Sequence, residues 1–432
     1  MRLALLIAAV LLIALSACAA PADAPPAATT PADDAALKDQ VVRLVQQLDA
    51  AEITSRKEAR DQLVALGPKI LDLLPTTTDG QAQADAVESV RAPLQLQLAE
   101  KSIQASNVTL NAVDQPLSEI LAALSRQSGN KLKDLRTDSV QRAGNPRLTL
   151  AFNKTPFWQA LDQTLDRAHL TAYPYVSEKA IGIDSAGESA MPRVSSRTSY
   201  AGPLRFEATR LTAIRGLGAR RPGSLNLMME IAWEPRLRPI MLQIAQRDIQ
   251  AVDDRGQPIA VENPERQWEG FDLSAGNGTV MEIPLVNPPR SARAIAAITG
   301  TVQALLPART ETFEFTGFTK NRQHRAGVTV TLDEPSHEGP VWQIRVGVAY
   351  DHGASSLESF REWNFDEAYI VGPDNRQIKP ESRTASRHEE KFRQDYTFLL
   401  PNGPGGLKLI YKTPALLTTV PLKFEFKDLP LP

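Results

Sequence analysis

Cysteine is nearly missing from this chain of 432 residues. The one present is Cys18, so an internal disulfide and any cysteine-rich zinc or iron–sulfur site are excluded. A surplus of either charge is missing too: 48 basic side chains stand against 50 acidic ones, a formal net charge of −2, which argues against nucleic-acid binding through one broad basic surface. Histidine is scarce, and no two of His169, His324, His337, His352 and His388 have the i, i+4 spacing of a helical metal site. Asp351-His352-Gly353 follows a strand pattern and reads as a polar turn. There is no G-x-S-x-G elbow and no Walker loop, and Gly403-Pro404-Gly405-Gly406 reads as a turn. Asp253-Asp254-Arg255-Gly256 lacks the further oxygen ligands and closing Glu of a calcium loop and reads as a hairpin turn. No catalytic residue, metal site or cofactor is therefore assigned. Proline is the excess: 32 residues, above the usual share of about 5%, favour linkers, turns and β structure.

The longest apolar run, Leu3 to Leu15, follows the positive Met1-Arg2 and is too short to cross a core of about 30 Å as a helix. It reads as a secretory signal. The residues Leu15-Ser16-Ala17-Cys18 that close it resemble the lipobox of bacterial lipoproteins. That resemblance implies cleavage before Cys18, acylation of its sulfur, and usually of the new amino group, and residence in the cell envelope. It implies the outer membrane, if the cell has one, because Ala19 stands where an inner-membrane retention Asp would be. Two or three acyl chains anchor stably, each buried CH₂ contributing about 0.8 kcal/mol. The expected segments are thus a signal peptide at 1–17 and an Ala/Pro-rich tether at 18–35, whose composition cannot bury a core.

Helical patterning fills 36–105. Val41, Leu44, Val45 and Leu48 share one face. Ser55 and Glu58 have the S-x-x-E spacing of a capping box ahead of Ala59, Leu63 and Leu66, Gly67-Pro68 is a stop, and Pro93 should kink or split a third helix. The pattern resembles one unit of a HEAT-like repeat, a small helical domain or spacer, since about three units are needed to stack.

A strand-and-helix unit then occurs twice, forty positions apart. Val108-Thr109-Leu110 alternates, and after Pro116 a helix carries Leu117, Ile120, Leu121 and Leu124 up to Gly129. Leu148-Thr149-Leu150, Pro156 and Phe157, Ala160, Leu161 and Leu165 repeat the scheme. Tyr173 to Ile183 can add a last strand or hairpin. The segments Val108–Gly129 and Leu148–Leu170 resemble the short N-terminal (STN) domain shared by secretins and some TonB-dependent receptors. The resemblance spans about 75 residues, here placed at 107–184, and implies a small α+β domain that docks on other protein domains and carries no catalytic residues. It departs from that family at Lys131 to Arg147, polar and basic where an apolar strand is expected. Nothing after residue 190 looks like a pore or a barrel.

Past a Ser- and Gly-bearing joint at Ser185–Ser199 the period becomes two. Leu225–Trp233 is matched by Trp342–Tyr350, the turn Val252–Ile259 by Val371–Ile378, and Phe313-Glu314-Phe315 by Phe424-Glu425-Phe426. This duplication predicts two antiparallel, immunoglobulin-like β-sandwiches at 200–320 and 325–432. The fold class expected for the whole is multidomain α+β: a helical segment, the α+β module and two sandwiches.

Two places suit partner binding. Trp233, Arg236 and Arg238, held by prolines, fit a partner protein or an anionic glycan, or else Trp233 plugs the sandwich with both arginines solvated. Trp158, beside Phe157, is a docking aromatic or a core residue. The function expected is a non-catalytic, lipid-anchored envelope protein that binds or scaffolds a protein partner and no nucleic acid. The alternatives are an envelope hydrolase with acids assembled by folding, and a purely structural lipoprotein.

Overall fold

The structure, a computed structural model, describes residues 31–75, 81–136, 144–176, 179–187, 192–215, 223–268, 273, 276–350, 366–388 and 391–432. The signal sequence, Leu15, Ser16, Ala17, Cys18 and the Asp351-His352 turn lie outside these residues. Two compact units divide the chain, residues 1–92 and 93–432.

The first unit holds α1 (Pro31–Gln47), α2 (Ile53–Ala65), a 3₁₀ segment (Pro68–Leu73) and most of α3 (Gln81–Ser102). Val41, Leu44, Leu48, Ala59, Leu63, Ile70 and Leu71 are buried in it. α1 begins inside the expected tether. The expected capping box does not form. Glu52 is the N-cap, its carbonyl already accepting from Arg56 N–H, so Ser55 falls inside the first turn and its Oγ contacts Glu52 Oε2 at 3.4 Å. Gly67, at φ 78°, and Pro68 end α2 as expected. α3 is one continuous helix through Pro93.

In the second unit comes the module β1 (Asn107–Pro116), α4 (Leu117–Ser128), β2 (Leu132–Asp134), β3 (Arg147–Pro156), α5 (Phe157–Ala168), β4 (Leu170–Tyr173) and β5 (Ile181–Ser185). β1 pairs antiparallel with β3, while β5 lies between a parallel β2 and an antiparallel β4. The forty-residue repeat reaches the backbone: Asp114 and Lys154 have φ of 47° and 49°, and Gly129 and His169 end the helices left-handed at 72° and 55°. Each helix starts on an N–H bonded to the other half, Leu117 to Pro146 O and Phe157 to Ser106 O. Pro116 and Pro156 are the N-caps.

Antiparallel β structure fills the remainder. β6 (Thr198–Ala201), β7 (Leu204–Ile214), β8 (Ser224–Trp233), β9 (Met241–Ala245), β10 (Gln250–Asp253), β11 (Pro258–Ile259), β12 (Gln267–Trp268), β13 (Gly278–Val286) and β14 (Ala294–Thr316) come first. Then follow β15 (Asn321–Arg325), β16 (Val328–Leu332), β17 (Ser336–Glu338), β18 (Val341–Tyr350), β19 (Glu367–Val371), β20 (Gln377–Ile378), β21 (Ser382–His388), β22 (Lys391–Leu399) and β23 (Lys408–Pro430). One sheet runs β13-β8-β7-β6, a second β15-β16-β18-β22-β21, and a third β11-β10-β14-β23-β19-β20. Along that third path the strands on either side of the central pair match, with the hairpins at Val252–Ile259 and Val371–Ile378 in equivalent places, while β9 pairs with β14 and β12 with β9 on one side only. In the first hairpin Asp253 Oδ1 accepts from the N–H of Arg255 and Gln257, the chemistry of a turn.

The expected boundary near 320–325 does not separate the cores. β14 and β23 are each 23 residues long and pair from Ala294↔Pro430 to Thr316↔Lys408. Ile298, Val302, Ala304 and Leu306 enter one core with Leu422, Phe424 and Phe426, while Leu305, Phe313 and Phe315 enter the other with Leu409, Tyr411 and Ala415. Side chains alternate along a strand, so the two cores occupy opposite faces of one ribbon. Each Phe-Glu-Phe motif therefore lies in the core opposite to the one its sequence position suggests. Hydrophobic period fixes which residues turn inward and leaves open which core receives them.

Candidate functional site

The module is fastened to the first β core by charged groups removed from water. Arg205 on β7 alternates outward between the core residues Leu204 and Phe206, and α5 covers it. Its Nε donates to Asp162 Oδ2 at 2.8 Å, its Nη1 reaches Glu230 on β8 at 3.4 Å, and its Nη2 donates to Glu207. The side chains of Arg205 and Asp162 are both 0% exposed. Tyr200 Oη donates to the same Asp162 oxygen at 2.7 Å, and Arg193 pairs with Glu207 at 2.9 Å while donating to Thr171. Three carboxylates thus face two guanidiniums.

Burial raises the pKa of Asp162 and outweighs the opposing pull of Arg205, Arg193 and the Tyr200 hydroxyl. Glu230 is raised for the same reason, against Arg205. Burial acts to lower Arg205, but Asp162, Glu207 and Glu230 overcome it and hold the guanidinium charged.

A second cluster ties the chain entering β1 to the end of β8. Glu234, 0% exposed, accepts from Ser106 N–H at 2.9 Å, Ser106 Oγ at 2.7 Å, Asn130 Nδ2 at 3.0 Å and Arg236 Nε at 2.6 Å. Arg236 also donates to Ser102 O at 3.1 Å and to Gln104 O. A third lies in the other β core, where Tyr411 Oη and Gln394 Nε2, the latter at 2.7 Å, donate to Asp366 Oδ2. Tyr396 donates to Gln394.

The residues picked out from sequence are distributed over these clusters rather than gathered at one surface. Trp158 is 1% exposed, donates Nε1–H to Pro203 O at 3.1 Å and lies 5.6 Å beneath the Arg205 guanidinium. It docks, but on its own chain. Trp233 is 1% exposed in the first core, so neither indole faces a separate partner. Arg236 is bound internally as described, and Arg238 has its pKa lowered by burial, opposed by Asp366. The alternatives of a solvated arginine or one free for a glycan do not describe Arg236.

No family model matches this chain. No curated protein matches it either. A solved structure described as "The crystal structure of the conserved domain protein from Bacillus anthracis" is similar over 48% of this chain and 71% of its own, at 9% identity and a TM-score of 0.17. A likeness at that level carries no argument about function.

Asp162, Arg205, Glu207, Glu230 and Glu234 escaped the sequence reading. Arg205 and Glu230 look like ordinary solvent-facing members of alternating strands. Asp162, one turn after Trp158 and next to Leu161, carried the only local signal: a charge beside the apolar stripe of α5. Chemically the first cluster positions and locks. Each Arg205 nitrogen is committed to a carboxylate, and Asp162 is closed to solvent. Among the described residues no group of three His, Cys, Asp or Glu could hold a metal ion, and no helix is long and apolar enough to cross a membrane.

Proposed function

We propose that this chain is a lipid-anchored protein of the bacterial cell envelope, serving as a non-catalytic binding or scaffolding module for a protein partner. The observation that carries the reading is the sequence Leu15-Ser16-Ala17-Cys18 after an apolar run too short to span a bilayer. Replacing Cys18 with Ser tests it: the wild type should sediment with membranes and the variant should be soluble after export. A variant that still fractionates with membranes in detergent-free extracts would sink the anchor.

Residues 107–184 are proposed to be STN-like, a reading supported by the order strand–helix–strand–strand–helix–strand–strand and by the forty-residue backbone repeat. The two β cores are proposed to be sandwiches of immunoglobulin type. With α5 committed to the chain's own β7 and β8, a face left for a partner among the described residues is the outer side of the β1–β3 ribbon. Thr109, Asn111, Val113, Thr149, Ala151 and Asn153 are exposed there, Val113 at 68%. Crosslinked envelopes should yield a reproducible partner that a Val113→Lys chain fails to recover.

A hydrolase reading draws on one observation, the raised acids Asp162 and Glu230 on a common guanidinium. It is the weaker reading because substrate cannot reach a carboxyl that is 0% exposed.

A further inference from the structure

The two outer β sheets carry equivalent rows of side chains, and they are built differently. Across the first, antiparallel register places Thr198, Glu207, Glu230 and Val280 in one line. Matching Trp233 with Tyr350, and the strands β6, β7, β8 and β13 with β15, β16, β18 and β22, the line on the second sheet is Arg322, Thr331, Gly347 and Arg393. In the first line the two central carboxylates meet Arg205 and Arg193 beneath the α+β module. Among the described residues no element packs over the second line: Arg322 is exposed, and Thr331, Gly347 and Arg393 are half-buried.

Gly347 is not required by the fold. A Cβ built on it would meet nothing closer than Thr331 at 3.9 Å, and its φ is not positive. A strand-interior glycine costs roughly 0.5–1 kcal/mol against alanine and often marks a place where another backbone or a ligand comes close. It makes a low floor between Arg322 and Arg393, three strand spacings or about 14 Å apart. Neither guanidinium has a hydrogen-bond or ion-pair partner among the described residues, whereas Arg345 on the same face is paired with Asp395 at 2.6 Å.

We propose that the outer face of the β15-β16-β18-β22-β21 sheet, centred on Gly347, docks a protein segment that presents carboxylates to Arg322 and Arg393. A protein occupant is favoured over a polyanion on two grounds: the equivalent face of the first sheet already holds a protein module, and Asp395 lies two residues from Arg393 on the same face. The inference does not depend on the lipobox or on the STN-like reading.

The test places the photo-crosslinker p-benzoylphenylalanine at Thr331 of the full chain, in cells of the source organism, with a probe at the exposed Thr212 as control. The expected result is a discrete protein adduct absent from the control, whose crosslinked peptide contains Asp or Glu, and whose yield drops about tenfold in Arg322→Glu/Arg393→Glu. Failure to exceed the control, a yield unchanged by charge reversal, or an adduct made only of lipid or glycan overturns the proposal. Gly347→Val separates docking from folding. It should abolish the adduct while the thermal midpoint of the purified chain holds or rises, and a lowered midpoint would assign Gly347 to the fold and overturn its role in docking.

Discussion

Arg205 concentrates the consequences of single residues. It is buried completely, and its three nitrogens hold Asp162, Glu207 and Glu230 together. Arg205→Met should cost about 3–5 kcal/mol, because removing one member of a buried ionic group strands the others without compensation. Arg205→Met/Asp162→Leu should cost less than the single change, and denaturant unfolding of the three proteins measures the difference. The pH dependence has a definite sign. Glu230 has a folded pKa raised above its unfolded value of about 4.3. The stability it contributes is complete below that value and is lost as pH rises through the folded pKa. Glu230→Gln imitates the protonated form, so its melting temperature relative to wild type should climb as pH rises from about 4.3 through the raised folded pKa. The opposite slope would mean that Arg205 holds Glu230 depressed.

Among the elements, the two halves of the α+β module end their helices alike with different residues. Gly129 adopts φ 72° without penalty, whereas His169 adopts 55°, where an ordinary side chain crowds its own backbone. His169→Gly should therefore stabilise by about 1 kcal/mol and Gly129→Ala destabilise by a similar amount, read from equilibrium unfolding. These helices and the first residues of their strands were legible in the sequence, since Leu117, Ile120, Leu121 and Leu124 repeat as Phe157, Ala160, Leu161 and Leu165. The short β2 was not, because its three half-buried residues sit between polar stretches and gain their place only by pairing with β5. The capping box at Ser55 failed for a related reason. A side-chain pattern proposes a helix start, but the backbone bond from Arg56 to Glu52 decided it.

At the scale of the molecule, the ribbon β14–β23 makes the two β cores mutually dependent. Tandem domains would tolerate loss of the C-terminus in the first core, but here Leu422, Phe424, Phe426 and Leu429 belong to that core. Truncation after Leu416 should expose the first core, and the amides of Leu225–Trp233 should lose hydrogen-exchange protection. Retained protection there would restore the tandem picture. A continuous ladder also opposes swinging of one core against the other, since bending it breaks paired backbone groups. Sequence by itself determined which residues turn inward, where the chain changes from period 3.6 to period 2, and that a lipobox-like motif stands at Cys18. All of these are properties of neighbours along the chain. Only the tertiary structure decided which core receives each Phe-Glu-Phe strand, and that Trp158 is spent on Pro203 and Arg205. It also showed that Arg205 of β7 is buried beneath the α+β module with Glu207 and Glu230 half-buried beside it, whereas no described element packs over the equivalent row on β16 and β18. Pairing across more than a hundred residues obeys the same alternation whichever partner is chosen, so the choice is made by packing and charge rather than by pattern.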